Sequence, residues 1–204
     1  MIPKNNYQVL FDKQISEIKQ NKVKPTLLLH ACCAPCSSYV LEYLSDIFDI
    51  TLFFFNPNIS PESEYNFRAH ELKRLVFEMG ISDSVKVIIP EFDSAPFEKT
   101  AKGKESLPER AERCTECYSL RLQKTFEKAE EMEFDYFSTT LSISPHKDAD
   151  RLNTIGYGLS QSGKTVWLFS DFKKRNGYKR SIELSEKYNL YRQNYCGCAY
   201  SKRT

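Results

Sequence analysis

No apolar run in this chain is long enough to cross a bilayer. The longest, around Thr51 to Phe55, falls far short of the roughly 20 residues that a membrane helix needs. The opening stretch MIPKNNYQVLFDKQ lacks the apolar centre of a secretory signal, so a cytoplasmic protein with no membrane partner is expected. Excess charge of either sign is also missing: 29 basic and 27 acidic residues leave +2, which by itself argues for no strongly electrostatic partner. With 41% apolar and 27% charged residues the composition excludes disordered and collagen-like classes. There is no internal repeat or low-complexity segment. Neither SGGxDS nor GxxxxGK[ST] follows the first predicted strand, and no flavin or nicotinamide loop is evident, so a nucleotide-dependent chemistry lacks its phosphate cradle.

Cysteine, in contrast, is plentiful. Seven is an odd number, and a chain of 204 residues buries enough core to fold without staples. A secreted disulfide framework is therefore a poor account; disulfides are not expected, and the cysteines read as thiols or metal ligands.

The length fits one domain, 1–204. Its predicted order begins with a leading helix within 1–23 and a buried strand from Pro25 to His30. A helix from Ser37 to Phe48 follows, then a strand from Ile50 to Phe55. Tyr65, Ala69, Leu72, Val76 and Met79 mark a helix that Gly80 ends. A strand from Val85 to Ile89 stops at Pro90 and leads into a long polar connection. From about Glu109, Cys114, Tyr118, Leu122, Phe126, Ala129 and Met132 form one face of a long helix whose charged face reads as solvated surface. A strand from Asp135 to Leu141, a helix from Asp148 to Ser162, a strand from Val166 to Phe169 and a helix from Lys179 to Lys187 complete the order. The alternation predicts an α/β fold: a mostly parallel sheet with helices on both faces and the ligand site beyond the carboxyl ends of the strands.

The cysteines fall in three short clusters. Cys32, Cys33 and Cys36 (HACCAPC) follow the first strand, Cys114 and Cys117 (CTEC) open the long helix, and Cys196 and Cys198 (CGC) lie far along the chain. The first two clusters belong on one rim of the sheet, and the third reaches it only if the C-terminal segment folds back. A lone cysteine is as often a small buried hydrophobe, but core cysteines would scatter, and a thioredoxin-like pair needs a single CxxC. Thiolates suit zinc and iron-sulfur clusters. A four-cysteine zinc knuckle leaves three thiols over; a 4Fe-4S cluster beside a second metal uses the count better, with the partition open.

The near-neutral total hides a dipolar chain. Residues 164–204 hold ten Lys or Arg and three acids, net +7, whereas residues 1–163 hold 19 basic and 24 acidic residues, net −5. Within the former, DFKKRNGYKR supplies Lys173, Lys174, Arg175, Tyr178, Lys179 and Arg180 among several aromatics. That mixture suits a nucleic acid with unstacked bases, or else a solvated helix end over core aromatics. His146, after the fourth strand, could donate a proton or bind phosphate. His30 and His70 read as structural, and Asn56, Asn58, Ser60 and Glu62 as either turn residues or site lining.

The ordered motifs LLLHACCAPC, FFFNPNI with Glu64 to Arg68 (ExxxR), RCxxCYxLRL, TTLSISPHKD, DFKKRNGY and YCGC resemble the QueH family of epoxyqueuosine reductases across residues 26–201. The resemblance implies an adenine-nucleotide-hydrolase-like fold and a cobalamin-independent iron-sulfur enzyme of the last step of queuosine biosynthesis, acting at the wobble position of a tRNA with a queuosine-type anticodon. It further implies that Cys32, Cys33, Cys114, Cys117, Cys196 and Cys198 hold a 4Fe-4S cluster and an adjacent mononuclear iron. Cys36 stands where the family often has Asp, and as a thiolate it would soften the neighbouring metal site. Electrons would come from an external one-electron donor such as ferredoxin or flavodoxin, and protons from His146 or Tyr118. The competing expectations are a non-enzymatic, zinc-stabilised RNA-binding module and, disfavoured by the missing nucleotide loop, a tRNA sulfur-transfer enzyme.

Overall fold

A computed structural model describes residues 6–20 and 23–201 of the chain. The described elements run α1 (Tyr7–Ile18), β1 (Thr26–His30), α2 (Ala34–Leu44), β2 (Asp49–Phe53), α3 (Glu62–Glu78), β3 (Val85–Ile88), α4 (Ala95–Ala101), α5 (Glu112–Glu131), β4 (Tyr136–Thr139), α6 (Ala149–Ser160), β5 (Val166–Trp167) and α7 (Gly177–Lys187). The five strands form one sheet in the order β3-β2-β1-β4-β5, all parallel.

The Leu27-Leu28-Leu29 run of β1 explains the layering. Side chains alternate across a strand, so a central strand covered on both faces must be apolar throughout. Leu27 and Leu29 pack with Phe11 and Ile15 of α1, Val40, Leu41 and Leu44 of α2, and Leu72 and Leu75 of α3. Leu28 packs on the other face with Leu122, Phe126 and Ala129 of α5 and Leu152 of α6. Because β2 pairs with one edge of β1 and β4 with the other, the chain reverses its direction of travel across the sheet at β1. In open parallel sheets such a reversal leaves a crevice beyond the carboxyl ends of the strands. Here the two loops that meet there follow β1 and β4: the Cys32 backbone N–H donates to Thr140 Oγ1 at 3.3 Å.

Several boundaries differ from those expected. The leading helix occupies only Tyr7–Ile18; residues 1–5 and 21–22 of that expectation lie outside the described residues. Helix α2 starts three residues early, with Cys33 extended ahead of it and Pro35 in its first turn, where a missing N–H costs nothing. Cys36 therefore rides on the helix and not in the loop. The polar connection after β3 contains α4, a helix too short to show a periodicity, which buries only Phe97 and Ala101. β5 keeps two residues of the predicted four, although Leu168 still donates its N–H to the Phe137 carbonyl at 3.0 Å. Gly80 does end α3, at a φ of 68° that favours glycine. The charged face of α5 is not wholly solvated: Arg113 and Arg121 are buried, at 1% and 3% exposure.

Candidate metal centre and adjoining cavity

All seven cysteines are free thiols, and the fold brings them into two groups. Cys32, Cys33 and Cys36 come from one short stretch, β1 to the first turn of α2. Their sulfur atoms all lie within 4.8 Å of one another, with Cys32 and Cys33 Sγ 3.8 Å apart. Hydrogen bonds from Cys33 and Cys36 pull the Cys32 thiol well below its ordinary pKa. The same hydrogen bond, together with burial, pushes Cys33 up to about 12 and raises Cys36. Within the trio, Cys32 is thus the thiol most easily deprotonated.

The second group is Cys114 and Cys117 on α5 with Cys196 and Cys198 from the segment after α7, four thiols around one narrow void. Here the C-terminal segment does fold back. The Ser60 N–H donates to the Gly197 carbonyl at 3.0 Å, and Arg68 donates from Nη1 to the Cys196 carbonyl at 3.3 Å. Arg74 holds the approach to this return, donating to the carbonyls of Tyr188 and Asn189 while its carboxylate partner Glu71 accepts the Tyr191 N–H. Gly197 sits at φ 103°, and a Cβ there would lie 2.8 Å from Ile59 and 3.1 Å from Arg68, so the close approach requires glycine. Within the pair, a hydrogen bond from Cys198 lowers Cys196 well below its ordinary value and raises Cys198 in turn.

A larger cavity of about 250 Å³ adjoins the void. Cys32, Cys36, Arg68, His146, Tyr178 and Gln193 are among the residues that line it, and Arg121, Lys147, Cys196 and Ser201 line both spaces and form their common wall. Of the cations that line the larger cavity, Arg68 is paired with Glu64 at 2.7 Å and Lys147 with Glu109 at 3.2 Å, while among the described residues Arg121 and Arg192 have no carboxylate partner. Arg121 donates instead to Asn56 Oδ1 at 2.5 Å and to His30 Nε2 at 3.3 Å. Burial and this guanidinium hold His30 down to about 3, hence neutral. Arg113 is spent on the carbonyls of Lys104, Glu105 and Leu107. Buried cations without anionic partners are costly, and the Cys32 thiol, which Arg121 helps to lower, is a nearby group able to carry the opposite charge.

Three polar atoms at the narrow void have no hydrogen-bond partner: Tyr118 Oη, Asn58 Oδ1 and Arg113 Nε. Burial pushes the Tyr118 hydroxyl up to about 12, so it stays protonated. The Cys32, Cys33 and Cys36 sulfurs, within 4.8 Å of one another, could hold a metal ion, and the four thiols around the narrow void with its unsatisfied polar walls are soft donors of the same kind.

The other residues singled out in the sequence are distributed unevenly. His146 lies exposed at the edge of the larger cavity, and His70 faces solvent on α3. Asn56 is buried, donating to the Ala31 carbonyl at 2.9 Å, and Ser60 anchors the returning segment, whereas Glu62 is exposed. Of the basic stretch, Tyr178 reaches the cavity. Lys173 pairs with Asp171, Arg175 with Asp12 at 2.5 Å, and Arg180 with Glu42 and Glu183. Among the described residues only Lys174 and Lys179 of its five cations make no ion pair. Arg68, Arg121, Lys147, Glu109 and Gln193 were not singled out as site residues. Their signal was weak but present, since Arg68 and Arg121 stand inside the ordered motifs and Lys147 directly follows His146.

No helix among the described residues is long and apolar enough to cross a membrane. The family model described as epoxyqueuosine reductase QueH matches residues 27–204. The chain is 43% identical over 202 residues to the epoxyqueuosine reductase QueH of Streptococcus pyogenes serotype M1, covering 98% of this chain and 79% of that protein. Its counterpart in Staphylococcus epidermidis is 42% identical over 202 residues, covering 97% and 85%. For the one from Thermotoga maritima the figures are 34% over 182 residues, 86% and 90%. The converging thiols and the length of these matches lead to one conclusion: the chain belongs to the QueH family of epoxyqueuosine reductases.

Proposed function

We propose that this chain reduces the epoxide of epoxyqueuosine to queuosine at the wobble position of tRNA, acting in the cytoplasm as one metal-binding α/β domain whose C-terminal segment, described over residues 164–201, closes the site. The observation that carries this reading is the common wall: seven thiols in two groups, with a cationic cavity opening onto both. In this assignment Cys114, Cys117, Cys196 and Cys198 hold a 4Fe-4S cluster, and Cys32, Cys33 and Cys36 hold the adjacent iron. Bound there, such a centre supplies single electrons and an open Lewis-acid position, and an external one-electron donor such as ferredoxin or flavodoxin renews the electrons.

The remaining work falls to the chain. The larger cavity admits the modified base once it is turned out of its stack, as enzymes acting on a base require. Arg192 places positive charge where phosphate or a polar base edge enters, and Gln193, whose buried Oε1 has no partner, offers an acceptor to the base. Arg121, fixed by Asn56 and His30, keeps permanent positive charge behind the thiolates. Tyr118 presents a protonated hydroxyl to the narrow void, and His146 stands at the solvent edge of the cavity; each can pass a proton inward. Tyr178, which lines the cavity, and the exposed Lys174 and Lys179 of the same stretch serve as contacts for the RNA.

The test is anaerobic reconstitution with iron and sulfide, followed by reaction with tRNA bearing epoxyqueuosine and analysis of released nucleosides. Queuosine should form, and the protein should be brown, with broad absorbance near about 400 nm. A reduced, cluster-loaded protein that forms none sinks the assignment, and a colourless, zinc-only protein that still binds the RNA would favour the binding-module reading.

A further inference from the structure

We infer that Lys147 is the catalytic residue that holds the oxygen as it leaves the epoxide; this deepens the functional reading above and rests on it. Deoxygenating an epoxide breaks both C–O bonds, forms a carbon–carbon double bond, consumes two electrons and two protons, and releases the oxygen as water. The electrons come from the external one-electron donor already named, the protons ultimately from solvent. As the C–O bonds break, negative charge gathers on the oxygen, and a donor fixed beside it stabilises that stage more than the intact substrate.

The reacting atoms must lie where the larger cavity meets the thiol-lined void. Four described residues line both spaces: Arg121, Lys147, Cys196 and Ser201. The Cys196 sulfur is assigned to metal. Ser201 is committed, its hydroxyl donating to the Cys198 carbonyl at 2.8 Å and meeting Cys196 Sγ at 3.0 Å. Arg121 is held by Asn56 and His30. Lys147 is the less constrained of the two cations: its ammonium carries three N–H groups on a flexible stem and makes one ion pair, to Glu109 at 3.2 Å, whereas the Arg121 guanidinium, though it has N–H groups to spare, is fixed in place by two buried partners.

Placement strengthens the case. The Lys147 side chain is only 10% exposed, so its charge acts with little screening, and the larger cavity begins at that charge. Glu109 is its counter-ion and is itself one-third exposed, which keeps the lysine aimed while leaving the other two N–H groups to the cavity. The lysine sits in the short loop between β4 and α6, where the Asp148 carboxylate caps α6 by accepting from Asp150 and Arg151 N–H. A capped helix start immediately after Lys147 fixes its backbone, which a group that must meet one oxygen requires.

The deciding experiment uses reconstituted protein and two RNAs, one bearing epoxyqueuosine and one bearing queuosine. Wild type should bind the epoxide form severalfold tighter in equilibrium binding. Lys147→Met should retain its metal content and visible spectrum and bind the queuosine RNA as wild type does. It should lose the preference for the epoxide, and its single-turnover rate should fall about 100- to 1000-fold, the range for removing one such donor. Lys147→Arg, which restores charge and donors, should recover part of both. Three results overturn the inference: a Lys147→Met rate equal to wild type, equal weakening of both RNAs, or a rate loss that merely tracks lost metal. If Lys147→Met does not fold, Lys147→Gln decides by the same readouts. A wild-type protein that makes no queuosine refutes the functional reading instead.

Discussion

The two thiol groups are built in opposite ways. Cys32, Cys33 and Cys36 sit within five residues of one another, placed by the end of β1 and the first turn of α2, so that central-strand folding alone puts their sulfurs within 4.8 Å. Cys114 and Cys117 wait on α5 for Cys196 and Cys198, which arrive only when the segment after α7 docks against Ser60, Arg68 and Arg74. One group depends on local geometry and the other on tertiary closure. A change in the returning segment should therefore empty one group and spare the other.

The sharpest way to break that contrast is Cys196→Ala. It should abolish activity and remove the cluster absorbance while leaving the metal of the Cys32 trio, and Cys33→Ala should do the converse; metal per chain and visible spectra check both. Gly197→Val is next. A β-branched side chain at φ 103° is strained by about 1–3 kcal/mol and strikes Ile59 and Arg68, so the closure opens without touching a thiol. The variant should lose the four-thiol centre, keep the trio, and show new proteolytic cleavage after residue 190.

Arg121→Met should blur the contrast, because that guanidinium lines both spaces. It leaves Asn56 Oδ1 and the His30 ring short of a donor, at a cost of about 1–3 kcal/mol. At roughly 2–4 °C per kcal/mol for a chain of this size, the loss is visible in a melting curve. It should also lower the reduction potential of the bound centre. The smallest effect concerns acid. Arg74 beside Glu71 holds that carboxyl below its usual value of 4.5. The stabilisation is therefore present above about pH 4.5 and fades as the pH falls through the lower folded value. Acid should loosen the attachment of the returning segment first, and Glu71→Gln should remove that pH dependence, as hydrogen exchange at Tyr191 would report.

The sheet and its helices were legible in the sequence because β1, α3 and α5 carry strong apolar patterns, and the clustering of the cysteines pointed to a thiol group that could hold a metal. What stayed hidden had physical reasons. Helix α4 is too short to show a period. Arg113 looks like solvent-facing charge on a helix wheel and Arg121 stands at the edge of the apolar stripe beside Cys114, where a charge reads as surface; only the chain segments that come to cover α5 make them interior. The cations of DFKKRNGYKR looked free, yet Asp12 and Glu42, more than 100 residues away, neutralise two of them. Lys147 was overshadowed by His146, a more familiar proton carrier that the fold leaves at the cavity edge.

The glycine at position 197 also sets a condition on the four-thiol space. Cys117 and Cys196 are 79 positions apart, and the four-thiol space does not exist until the backbone at 197 has settled against Ile59. On the proposed assignment, the trio's sulfurs are placed by β1 and α2 alone, whereas a cluster held by the four thiols would need the returning segment already docked. A brown colour in the reconstituted protein would then report that this segment has closed as well as what metal is bound.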